Sequence, residues 1–320
     1  MKRQSQRERL ASLAPACILL FLVLLLSFVA QGFFSVKNLQ TILYQASIPL
    51  VMSMGLTFVI LLGSTDLSAQ GLGGFVGSIV SLMVLNSKTD LNLGGAALLI
   101  AIMSSVLVST VSGLIHVKGK LPSFMVSYAI SSIMAGFAVL CYQGQPALIR
   151  YELFTSISQG TLLGIPYLTL IALGVFGVAF ILQEYTRLGS HVIAIGDNES
   201  VAKNMGINID KTKILVFVWL GLCIGIAGIL GAIRNGRGEV AIGKDMVFPA
   251  ITAVVVGGTS LSGGKGGVVQ SLVGAFIVTI INNGLILLGV NPYIQSAMQG
   301  LIIISAVALS ISRDRKAIVK

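Results

Sequence analysis

Two short stretches hold most of the residues whose types and spacing can do chemistry. Residues 63–73 read Gly-Ser-Thr-Asp-Leu-Ser-Ala-Gln-Gly-Leu-Gly, and residues 257–267 read Gly-Gly-Thr-Ser-Leu-Ser-Gly-Gly-Lys-Gly-Gly. Set at an offset of 194, Gly63/Gly257, Thr65/Thr259, Leu67/Leu261, Ser68/Ser262 and Gly73/Gly267 are identical. Each stretch follows an apolar run (Phe58–Leu62 and Val254–Val256) and precedes another. The pattern is an internal repeat built on two broken membrane helices. Glycines let the backbone turn but free its N–H and C=O groups, which membrane depth tolerates only inside protein or beside a water-filled cavity. Paired breaks of this kind point to the solute path of a transporter. Gly63, Asp66, Ser68, Gly257, Gly258, Thr259 and Ser262 are therefore candidate path or break residues.

Asp66 is the one acid in its stretch. Its carboxylate can face the path and accept bonds from solute hydroxyls. It can also cap the next helix by accepting N–H bonds from the first turn. The repeat favours the cap, because the equivalent residue is Ser260, another good capping residue. Asn282 and Asn283, and with them Tyr128 and Tyr142, are further candidates to line the path or to serve packing and helix ends.

Other chemistries lack their parts. Cys17, Cys141 and Cys223 are far apart, with no Cys-x-x-Cys, and read as small apolar residues rather than a disulfide framework or metal site. The two histidines, His116 and His191, are too distant from each other for a metal site. There is no Gly-x-Ser-x-Gly, and no second intramembrane acid joins Asp66. No catalytic residue, metal or bound cofactor is expected. The nearest approach to a phosphate-binding loop ends Gly264-Lys265, but Thr259 stands at the first glycine position and Gly266 follows the lysine. Any ATP must be hydrolysed elsewhere.

The elements that must position these residues follow from composition. The chain has 320 residues, 55% of them hydrophobic and 10% charged, with mean hydropathy +0.95. Soluble domains carry about 25% charged residues and rarely leave large apolar patches in water. This excludes a soluble enzyme, a nucleic-acid-binding module and a disordered tail. The apolar residues lie in long unbroken runs, not the short alternating segments of a membrane barrel. The expected fold is all-α and polytopic. Spans are expected near 14–34, 41–62, 67–86, 93–115, 121–141, 161–183, 214–233, 267–288 and 293–312, with a shorter apolar piece from Met246 to Val256. About 20 apolar residues are needed to cross the bilayer, so the short piece reads as a half-helix and the total as about eight to ten spans. The first run follows a basic start that loosely resembles a secretory signal, but Phe28 stands where a second small residue is expected, and the run reads as a retained span.

The net charge of +10 matters less than its distribution. Ten crossings place 1–13, 116–120, 184–213 and 313–320 on one side, with 14 Lys and Arg residues against 6 in the opposite segments. That bias puts both termini in the cytoplasm. Glycines 221, 225 and 228 within one span read as close helix packing.

In the longest polar stretch, Asp197 or Asn198 can cap a short helix beginning near Glu199, with Gly206 as its stop. Val201, Ala202 and Met205 share a face at three- and four-residue spacing. About two turns are unstable alone and need a partner surface, from this chain or another.

At these residues the sequence resembles the membrane permease subunits of ribose-type ABC sugar importers, a branch that includes permeases for other simple sugars and autoinducer-2. The likeness covers nearly the whole chain, most clearly 58–80, 120–136 and 190–312. Ala194-x-Gly196-x-Asn198, with Ala202 and Gly206-Ile207, looks like that family's coupling helix, which docks on the ATPase. The resemblance implies ATPase-coupling roles for Ala194, Gly196, Asp197, Asn198, Glu199, Ala202 and Gly206. Gly257 to Gly264 and Asn282-Asn283-Gly284-Leu285 also follow the family pattern. Departures are Ser64, Thr65, Ala69 and Gln70 at the first break, Val201 in the coupling segment, and Ser127-Tyr128-Ala129-Ile130 after the Pro122 and Phe124 positions; Phe124 itself is a candidate path residue.

The resemblance implies one transmembrane permease domain over 1–320 in the bacterial inner membrane, with cytoplasmic tails at 1–13 and 313–320 and a coupling loop at 184–213. Its implied partners are an ABC ATPase carrying ATP and Mg, a second permease copy or a homologous permease, an extracytoplasmic solute-binding protein and membrane lipid, with no nucleic acid. The function implied is alternating access for a simple sugar. The alternative is an ion- or proton-coupled secondary transporter, which breaks and a repeat fit equally well, but which normally needs more intramembrane ionisable residues than Asp66 supplies.

Overall fold

The computed structural model describes residues 6–313. Lys2, Arg3, Arg315, Lys316 and Lys320, which enter the orientation argument, lie outside the described residues. The chain is helical nearly throughout. α1 (Gln6–Val29), α2 (Val36–Leu61), α3 (Ser68–Met83), α4 (Gly95–Gly119) and α5 (Ser123–Tyr142) lead to a short α6 (Glu152–Gln159). A minimal hairpin follows, β1 (Thr161–Leu162) pairing antiparallel with β2 (Ile165–Pro166). Then come α7 (Tyr167–Tyr185), α8 (Arg187–Asp197), α9 (Glu199–Asn204), α10 (Ile209–Asn235), α11 (Ala241–Val256), α12 (Val268–Leu287) and α13 (Pro292–Arg313). Six of these helices are long and apolar enough to cross a membrane by length and composition. The protein is a polytopic all-α membrane protein.

The core is built on α2 and α10. From Leu50 to Leu61 every residue of α2 is buried, as is most of α10 from Phe217 to Ile233. A helix apolar on all sides belongs inside a bundle. By contrast α4, α5 and α7 bury one narrow face and expose Leu99, Met103, Leu107, Met125, Leu140 and Ile181 on the other. In a chain of this composition that outer belt is the lipid face. Gly221 and Gly225 let α10 approach α4 closely: a Cβ on Gly221 would sit 2.8 Å from the Cα of Val106. Ser105 and Ser109 of α4 then donate to the carbonyls of Gly221 and Phe217, both at 2.7 Å.

The connections sort into two ends. At one end the turn 62–67, the start of α5, the α8–α9 segment and the turn 257–267 meet: Thr65 N donates to Ser123 Oγ at 3.2 Å and Gly264 N to Leu61 O at 2.9 Å. At the opposite end three loops are knitted by backbone bridges, Asn86 with Ile149 and Leu148 with Arg237, reinforced by Ile149 N donating to Gly236 O at 2.8 Å.

Several expected boundaries move. The span expected at 161–183 begins only at Tyr167, because Thr161–Pro166 turns back on itself in the hairpin. The apolar piece 246–256 is the second part of a longer helix, α11, whose polar first turn Gly243-Lys244-Asp245 hid its start; its 16 residues reach about 24 Å rather than the ~16 Å of the apolar part. The first break is shorter than 63–73, since residues 68–73 already belong to α3. Both breaks are turns between separate helices at one shared end of the bundle.

Candidate functional site

At the first break the chain must leave α2 and start α3 with its N–H groups satisfied. Gly63 takes φ +74, open to glycine at no steric cost, and turns the chain. Asp66 is buried, 1% exposed, and its Oδ1 accepts from Ser68 N at 2.8 Å and Ser68 Oγ at 2.6 Å. The carboxylate thus caps the turn, and Ser68 is committed to it. Three serines of α5 finish the task at four-residue spacing. Ser123 Oγ accepts from Thr65 N, Ser127 Oγ from Leu67 N at 3.1 Å, and Ser131 Oγ from Gly71 N at 2.9 Å. This ladder gives Ser127 a partner in the first break. It was legible as a Ser-x-x-x-Ser-x-x-x-Ser stripe, but only the fold shows what it caps.

The second break repeats the first locally and then diverges. Ser260 Oγ accepts from Ser262 N at 3.2 Å, the same two-residue reach as Asp66 to Ser68. However, α12 starts at Val268, six residues beyond the position aligned with the start of α3. Its first N–H groups are met by Thr259 Oγ1, from Gly267 N at 3.3 Å, and by Gln183 Oε1 of α7, from Val268 N at 2.7 Å. Gly258, at φ +103, turns the chain out of α11. Gly257 lies where a Cβ would press on the backbone of Gln270.

The polar stretch 186–208 holds two helices, where the sequence suggested one. α8 buries Gly189, Val192 and Ile195, a three-residue period, and Thr186 Oγ1 caps it by accepting from Leu188 N at 3.2 Å. Ala194, Gly196 and Asp197 are its last residues. Asn198, not Asp197, caps α9, its Oδ1 accepting from Ser200 N and Val201 N at 3.1 and 3.2 Å. Gly206 at φ +82 ends that helix, with Ile207 N donating to Ala202 O. The expected common face splits: Ala202 is buried against this chain, whereas Val201 and Met205 are exposed. Glu199 pairs with Lys213 at 2.8 Å.

Towards the opposite end, α2, α10, α11, α12 and α13 enclose a cavity of about 680 Å³. It is lined by Arg234, Lys244 and Asp245, by the amides Gln45, Asn282, Gln295 and Gln299 with Thr279, and by apolar residues that include Ile48, Met246, Phe248 and Val278. Arg234 lies over the Tyr44 ring, 5.5 Å from its centre. Asn282 Oδ1 accepts from Gln299 Nε2 at 3.2 Å. Its neighbour Asn283 points elsewhere: it is buried and exchanges two hydrogen bonds with Asn38 of α2, at 2.9 and 3.1 Å. Phe124 and Tyr128 are exposed on α5, away from the cavity, and the Tyr142 carbonyl accepts from Lys88 Nζ at 2.7 Å. The structure therefore brings the breaks and the α8–α9 segment together at one end and places Asn282 in the lining of a cavity towards the other. The charged residues of the cavity lining are what sequence reasoning missed, because Arg234, Lys244 and Asp245 come from two helices with no shared motif.

Apolar helices around a cavity with both polar and apolar lining, with glycine-rich turns gathered at one end, define a membrane transport protein. Residues 38–307 match the family described as "Branched-chain amino acid transport system / permease component". Among curated relatives, the ribose import permease protein RbsC of Haemophilus influenzae is 35% identical over 90% of both chains. That of Bacillus subtilis is 31% identical over 95% of this chain and 92% of its own. The galactose/methyl galactoside import permease protein MglC of Escherichia coli K12 is 32% identical over 91% of each. No solved structure matches. The chain belongs to this permease family. It is a permease subunit of an ABC importer, a transport component and not an enzyme, and the ion-coupled alternative falls away.

Proposed function

We propose that this chain forms the translocation path for a monosaccharide in a binding-protein-dependent importer, with α8 and α9 docking on a separate ATPase that carries ATP and Mg. The observation that carries the solute class is the cavity: its 680 Å³ has room for a sugar ring, and the amides of Gln45, Asn282, Gln295 and Gln299 stand among apolar lining residues such as Ile48, Phe248 and Val278, a mixture that can bond hydroxyls and cover a ring's C–H face. The relatives named for ribose and galactose support the same class.

The chain works as one permease domain beside a second copy or a homologous permease in the inner membrane. Both termini are cytoplasmic, and about ten helices cross. Support for that orientation comes from the charge bias, 14 basic residues against 6, which runs with the end that holds the breaks and α8–α9. The cavity then opens outward, where a solute-binding protein delivers. Solute passes by alternating access as the ATPase displaces the coupling segment.

The test is uptake of D-ribose, D-galactose and L-leucine in cells expressing the whole importer. Sugar uptake that survives collapse of the proton gradient and stops on ATP depletion is expected. Uptake that follows the proton gradient, or L-leucine as the favoured solute, would refute the proposal.

A further inference from the structure

α8 is clamped to backbone at both of its ends. Near its start, Gly189 lies against the backbone of Gln183, whose side chain in turn accepts from Val268 N at the head of α12. At its finish, Gly196 lies directly against Leu61 O, and a Cβ there would be 2.5 Å from Gly264 N. Those two groups are already bonded to each other across the two breaks, Gly264 N donating to Leu61 O at 2.9 Å. Gly263 completes the contact: its missing Cβ faces Gly63 N at 2.8 Å, Leu61 O at 2.9 Å and Gly196 O at 3.0 Å. Three separate segments thus meet main chain to main chain at this point.

Side chains absorb small displacements by changing rotamer. A junction of bare backbone has no such slack, and close-packed interiors transmit strain rather than dissipate it. Only one residue, Asn198, separates α8 from α9. We infer that Gly196 is a positioning residue that grips both glycine-rich turns as a single unit, so that a push on α9 reaches α2–α3 and α11–α12 together. This rests on the docking of an ATPase at α8–α9 proposed above. It adds that the stroke passes through the contact of Gly196 with Leu61 and Gly264 and not through the helix surfaces in general.

The test uses spin labels on Leu163→Cys and Tyr293→Cys, which are 96% and 86% exposed, in a Cys17→Ser, Cys141→Ser background of the assembled importer. Their separation is compared without nucleotide and in the ATP–vanadate-trapped state. The wild-type junction is expected to give a distance shift. Gly196→Ala is expected to hydrolyse ATP and lose that shift. Gly136→Ala, with nothing within 4 Å of the added methyl, is expected to keep it. Should Gly196→Ala fail to reach the membrane, Gly63→Ala takes its place: its Cβ would lie 3.3 Å from Ser262 O, and a partial loss of the shift is expected. A full shift in either hydrolysing variant, or no shift in the wild-type complex, overturns the inference. A wild-type shift without D-ribose uptake refutes the sugar assignment alone.

Discussion

Asp66 and Asn283 show how a polar residue in a membrane chain can be spent on structure. Asp66 Oδ1 holds Ser68 through two bonds, so its acceptor oxygen matters more than its charge. Asp66→Asn, which keeps an acceptor, is expected to sustain near-normal uptake. Asp66→Ala is expected to lose about 0.5–2 kcal/mol, the usual cost of a cap, read as a lower thermal midpoint of the purified permease. Asn283→Ala strands the buried Oδ1 of Asn38, whose Nδ2 keeps the Phe33 carbonyl, and is expected to cost about 1–3 kcal/mol. Asn282→Ala removes a group from the cavity wall and is expected to leave the midpoint within about 0.5 kcal/mol, as substitutions away from buried networks do, while changing the KM for uptake. Equal destabilisation by the two asparagine variants would contradict the division of roles.

Among the elements, α9 divides its residues between its own chain and an outside surface. Ala202 is 1% exposed, Met205 74%. Met205→Glu is expected to leave the permease at normal levels in the membrane and to lower the amount of ATPase that co-purifies with it. Ala202→Trp overfills a packed site and is expected to lower the level of folded permease itself, overpacking costing about 1–3 kcal/mol. The sequence exposed the long apolar helices, both breaks and the cap and stop of α9, because apolar runs, glycines and Asx residues act locally. It did not expose α8, whose three-residue burial period lies in a polar, histidine-containing stretch that reads as loop. It missed the true start of α11, because Lys244 and Asp245 look like loop residues until a cavity is there to receive them. Of the site, Asn282 and the glycine positions were legible. Which asparagine faces the cavity was not, since that depends on Asn38, 245 positions away.

For the molecule as a whole, the two ends are built differently. At the break end hydrogen bonds join the turns to each other and to α5, whereas at the far end backbone bridges link residues 86, 148, 149 and 237, which belong to the connections after α3, after α5 and after α10. The cavity lies beside that bridged group, and its other wall is made by α11, α12 and α13. Filling the cavity by Thr279→Trp is expected to cut sugar uptake about tenfold while the protein remains folded, as loss of one well-placed contact of ~1.4 kcal/mol would; unchanged uptake would place the path elsewhere.

The bridge that joins residues 86, 148, 149 and 237 makes three of the far-end connections a single cross-linked rim. It ties the connections after α3, α5 and α10 together, whereas the hydrogen bonds of the α12–α13 turn are local ones. Main-chain amides at 148–150 are expected to exchange with solvent slowly in every nucleotide state. Those at 291–297 are expected to change their exchange rate with each turn of the ATPase.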